Sequence, residues 1–134
     1  MTEKEFKDRT KQLSLRIIRV VQALPHDDVA RTIGKQLLRS GTSVGANYRA
    51  ACRGKSVADV IHKLSIVEEE ADESLFWMEL LVEAEILPEA LLKELMKEMD
   101  EVVAMTVASI KTLRSQTTPK VTSTSQPKNP KSKI

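Results

Sequence analysis

Apolar residues recur at helical spacing along most of the chain. Phe6, Leu13, Ile17, Val20, Val21 and Leu24 share one face at 100° per residue, which predicts helix one over residues 3–24. Pro25 and the His26-Asp27-Asp28 run interrupt it, and Asp27 or Asp28 can cap the next helix. Ile33, Leu37, Val44, Tyr48 and Ala51 then define a second face and a helix over 28–53. Gly54 suits its C-terminus. Ser56 caps helix three, with Asp59 at the third position as an approximate capping box. Its core stripe is Val57, Ile61, Leu64, Val67, Ala71, Leu75, Met78 and Val82. Pro88 opens helix four in the first-turn position that tolerates proline. Leu92, Leu95, Met96, Met99, Val103, Thr106, Ile110 and Leu113 form its stripe.

Four long helices with short links predict an all-α, antiparallel up-down-up-down four-helix bundle over 1–116. Residues 117–134, rich in proline, lysine and small polar side chains, read as a disordered basic tail. Aromatics make up only 3% of the chain, so the core has to be aliphatic. The single cysteine, Cys52, rules out an internal disulfide and fits a reducing, cytoplasmic setting. The charged start has no signal-peptide character, and no apolar run approaches the ~18 residues of a membrane span.

The second helix carries its glycines in an ordered way. Gly34, Gly41, Gly45 and Cys52 fall on one line beside the apolar face, which reads as a helix-packing seam. An interior glycine costs about 0.5–1 kcal/mol relative to alanine, so close approach of a neighbouring helix has to offset it. A phosphate-binding loop is the poorer reading, because "GTSVGANYR" lacks the Gly-Lys-Ser/Thr ending and no strand precedes it.

Charge is unevenly distributed under a net +2. Residues 1–64 hold 13 Lys/Arg and 6 Asp/Glu; residues 65–101 hold 2 and 13; residues 102–134 hold 6 and none. Opposite the apolar face of helix two, Arg31, Lys35, Arg39, Arg49 and Arg53 lie within about 40° of one line. Such a row matches RNA or DNA phosphates. The same cations could instead be spent on subunit contacts or on the acidic third helix, and both uses stay open. Aromatic residues for base stacking are missing from the row.

Helix three has a second apolar side. Ile66, Phe76, Trp77, Leu80 and Leu81 lie away from its core stripe, beside Glu70 and Glu73. One bundle needs one stripe, so this side predicts contact with another subunit. Arg39, Arg49, Ser40 and Asn47 are available to satisfy the two glutamates.

The runs "QLLRSGTSVGANYR" and "KLSIVEEEADESLFWMELL" resemble the bacterial four-helix bundle family encoded by intervening sequences in large-subunit ribosomal RNA genes. The likeness covers residues 10–115 and is most specific at Arg39-Ser40, Ser43-Val44, Ala46-Asn47 and Glu70/Glu73/Trp77. It implies a pentameric homo-oligomer with Arg39, Ser40, Asn47, Glu70, Glu73 and Trp77 at the shared surface. The family is also distantly similar to the accessory variability protein of diversity-generating retroelements, a basic pentamer that binds nucleic acid. Members often carry an acidic residue just after the Asn-Tyr-Arg run, where this chain has Ala50.

No enzyme constellation stands out. Asp59-x-x-His62 is half of one di-iron motif, with Asp in place of Glu; His26 sits in a turn. Cys52, close to Arg49 and Arg53, fits an inert seam thiol better than a nucleophile. The expected protein is therefore a non-enzymatic homo-oligomeric scaffold without metal or cofactor. It would contact RNA or DNA through the basic row, or serve as a protein adaptor.

Overall fold

The computed structural model describes residues 1–117, as four α-helices: α1 Glu3–Gln22, α2 Asp28–Cys52, α3 Val57–Glu83 and α4 Glu89–Thr117. The predicted tail lies outside the described residues, except that α4 extends through Thr117. Among the described residues there is no strand, and no helix is long and apolar enough to cross a membrane. The helices alternate in direction and pack α1 on α2, α2 on α3 and α3 on α4, while α1 and α4 meet only sparsely. The fold is an antiparallel four-helix bundle.

Local chemistry sets the helix ends. Thr2 and Glu5 form a complete capping box on α1. Asp27 accepts from Ala30 N on α2, and Ser56 accepts from Asp59 N on α3. Asp59 reaches back to Lys55 N at 3.2 Å instead of closing the box on Ser56. After α3 the chain turns through Glu85 at φ 61°, a left-handed backbone in a non-glycine residue. Glu85 N donates to Val82 O and Ile86 N donates to Leu81 O, each at 2.9 Å, which is a Schellman closure with glutamate in the usual glycine position. Pro88 directly precedes α4 rather than sitting in its first turn. No glycine has positive φ; Gly54 follows α2 because a Cβ there would stand 2.5 Å from Val60 Cγ2.

Leu13, Ile17, Leu37, Val44, Val67, Met78, Leu92, Met99 and Val102 are fully enclosed and join one aliphatic core. Each such side chain contributes about 1.5–3 kcal/mol. At the end where α2 terminates and α3 begins, a smaller cluster of Ala51, Leu64 and Ile110 packs separately.

The buried arc of α3 differs from its predicted stripe. Ser74 and Leu81 are fully buried, whereas Val57 is 41% exposed. The arc is turned toward α2, which Ser74 meets at Ser40. On α4, Val102 is buried and Val103 is only partly covered.

Candidate functional site

The α2–α3 seam holds the polar residues on which the sequence resemblance is most specific. Ser40 Oγ and Ser74 Oγ are 2.9 Å apart, and neither residue is exposed to solvent. Ser74 also donates to Glu70 O at 2.8 Å, so the pair is satisfied. One turn outward, the Arg39 guanidinium donates to both carboxylate oxygens of Glu70, at 3.2 and 3.3 Å, and to Glu73. Trp77 Nε1 donates to the same Glu73 oxygen at 3.0 Å. The indole hydrogen bond, with the guanidinium beside it, holds the Glu73 carboxyl below its ordinary value. The same two carboxylates raise Arg39 further. Asn47 donates to Ser43 O within α2.

These contacts change the site expected from sequence. Ser40 cannot lie at a shared surface, because it is sealed between α2 and α3. Arg39 is taken up by Glu70 and Glu73 of its own chain, which removes it from the set of freely available cations. Leu81 belongs to the core and not to a second apolar side, since α3 is flanked by both α2 and α4 and buries a wide arc. Ile66, Trp77 and Leu80 are half-buried. Phe76 stays 50% exposed and stands edge-on to Trp77, with ring centroids 5.0 Å apart.

The rest of the basic row remains at the surface. Arg31 pairs with Asp28 at 3.2 Å. Lys35, Arg49 and Arg53 are exposed and have no ion pair among the described residues. The glycine line faces α1. A Cβ on Gly41 would lie 2.8 Å from Ile17, one on Gly34 would lie 2.7 Å from Leu24 Cδ1, and one on Gly45 would lie 3.2 Å from Ser14 Oγ and Thr10 O. Cys52, at the end of that line, is half-buried, and burial, with Glu3 adding to it, pushes its thiol up.

A cleft of about 590 Å³ opens beside Cys52, between the first turn of α1 and the last turns of α4, and is lined by Phe6, Tyr48 and Leu113. Phe6 and Tyr48 close its inner wall edge to face at 4.6 Å. His26 and His62 are exposed and far apart in the fold, and Asp59 is engaged in capping. Among the described residues no group of three or more His, Cys, Asp or Glu side chains is arranged to hold a metal ion.

Sequence reasoning missed the serine pair. Ser40 and Ser74 directly follow Arg39 and Glu73 in the chain, but that adjacency alone does not turn them toward each other.

A family model described as "23S rRNA-intervening sequence protein" matches residues 2–108. The crystal structure of a protein of unknown function from the S23 ribosomal protein family of Bacteroides thetaiotaomicron VPI-5482 is similar at 34% identity and a TM-score of 0.74, covering 78% of this chain and 97% of that one. No curated protein matches the chain.

Proposed function

The chain belongs to the 23S rRNA-intervening sequence protein family, and from that premise we propose that it is a non-enzymatic scaffold built from copies of itself. A five-membered ring, implied by the sequence resemblance, is the copy number we favour.

One observation carries the reading. On α3, Met78 is fully enclosed, while Phe76, two residues earlier, keeps half its surface open against the edge of Trp77. An exposed aromatic in the middle of a long helix, flanked by the half-buried Leu80, is the anchor type that subunit interfaces use. Light scattering at micromolar concentration tests it. The expected mass is a multiple of the 15.0 kDa chain, five being favoured, and a mass of one chain overturns the reading.

A second reading rests on Lys35, Arg49 and Arg53, which lie exposed on α2 without partners among the described residues. In a family named for ribosomal RNA intervening sequences, these cations are the ones available to phosphates. Titration with single-stranded RNA at about 50 and about 200 mM salt tests this, since phosphate contacts weaken steeply over that range. Absence of binding at the lower salt overturns it.

A further inference from the structure

The outer surface of α3 is a single acidic row. At 100° per residue Glu69, Asp72, Phe76, Glu79 and Glu83 lie within about 40° of one line. All five are exposed, and no cation pairs with the four carboxylates among the described residues. Phe76 sits at the centre of this row. Between Lys63 and Lys93 the chain has no lysine or arginine at all.

The outer surface of α2 is the counterpart. Lys35, Arg49 and Arg53 are exposed, and Leu38, 36% exposed, lies one turn from the Lys35 end. Between Asp28 and Asp59 the chain has no acidic residue. At 1.5 Å per residue the cations span about 27 Å and the carboxylates about 21 Å, so the two rows match in length as well as sign. They cannot meet within one chain. α2 and α3 are already packed along the Ser40–Ser74 seam, which points their outer surfaces away from each other.

We propose that the α2 row of one copy docks on the α3 row of the next, with Phe76 as the apolar centre of the contact and cations against carboxylates around it. This rests on the self-assembly reading above and specifies its surfaces. The contact is heterologous, since each copy offers two different faces, and repetition of such a contact closes a ring when the rotation allows. Like charges brought together at either row oppose assembly, so the same residues that attract the right face reject the wrong one. The inference also takes Lys35, Arg49 and Arg53 away from RNA.

Charge reversal of the full chain tests it, with helicity by circular dichroism checked for every variant and mass read by light scattering. Reversing the acidic row (Glu69→Lys, Asp72→Lys, Glu79→Lys, Glu83→Lys) is expected to reduce the mass to one copy. Reversing the basic row (Lys35→Glu, Arg49→Glu, Arg53→Glu) is expected to do the same. Both reversals in one chain restore complementarity, and the mass is expected to return to the wild-type value; this variant separates a lost interface from a misfolded protein. Phe76→Ser alone is expected to weaken self-association at least tenfold. A wild-type protein that is a single copy overturns the self-assembly reading, and the inference with it. A wild-type oligomer whose mass survives either single reversal overturns the inference alone. So does a basic-row reversal that abolishes binding to single-stranded RNA and leaves the oligomer intact.

Discussion

The hydroxyls of Ser40 and Ser74 meet at 2.9 Å between α2 and α3, with neither residue exposed. Two small polar side chains thus sit where α2 and α3 touch, and the arginine–glutamate–tryptophan cluster grows outward from that contact. Losing one hydroxyl removes a partner from the other inside the core. Ser40→Ala is expected to cost about 0.5–1.5 kcal/mol, and Ser40→Ala with Ser74→Ala no more than the single change. Ser40→Val, which inserts bulk at the contact, is expected to cost about 1–3 kcal/mol. Urea denaturation of the three variants checks the order.

The glycines facing α1 should respond differently to the same substitution. At Gly41 a Cβ meets the Cγ1 and Cγ2 atoms of Ile17 at 2.8 Å and its Cβ at 3.2 Å, and that branched, fully buried side chain has nowhere to move. Gly41→Ala is expected to destabilise by about 1–3 kcal/mol despite its better helix propensity. At Gly34 the obstacle is Leu24 Cδ1, the far end of a flexible side chain. Gly34→Ala is therefore expected to fall within about 1 kcal/mol of wild type, the propensity gain offsetting the adjustment. Thermal unfolding of the pair distinguishes them.

The turn after α3 holds Glu85 at φ 61°. A left-handed residue with a Cβ costs about 1–2 kcal/mol, and glycine relieves that while giving up some unfolded-state restriction. Glu85→Gly is expected to stabilise the chain by about 0.5–1 kcal/mol, read as a higher denaturant midpoint with an unchanged slope.

Acid should expose the role of Glu73. Its folded carboxyl is held below the ordinary 4.5 by Trp77 and Arg39. A depressed acid contributes stability that is fully present above 4.5 and is lost as the pH falls through the lower folded value. The stability difference between wild type and Glu73→Gln is expected to shrink as the pH drops below 4.5 and to stay level above it. Chemical denaturation at a series of pH values, at constant ionic strength, measures the difference.

Helix positions were legible because apolar periodicity is a property of the chain itself. The run from Asp28 to Cys52 keeps its phase through three glycines, and the structure is helical throughout. Rotation of a helix about its own axis was not legible. Leu81 and Val102 moved into the core, and Val57 out of it, because the closest approach between neighbours decides which edge of a stripe is covered. The Thr2–Glu5 capping box lies within the first five residues, where the apolar periodicity has not yet begun to mark the helix. Ser40 and Ser74 could not be placed from one strand of sequence. A serine is at home in water or in a core, and only the partner across the gap decides which. For Arg39 the sequence offered two partners, phosphate or glutamate, and the fold of the single chain already supplies the second.

The sparse contact between α1 and α4 has a kinetic consequence. Side-chain ion pairs, Arg16 with Glu98 at 2.6 Å and Arg9 with Glu98 and Glu101, bridge that side of the bundle. Every extensive interface therefore joins helices that are neighbours along the chain. Such a topology has low contact order, with little loop-closure entropy to overcome before native contacts form. Each hairpin can condense onto the last as the chain emerges from synthesis.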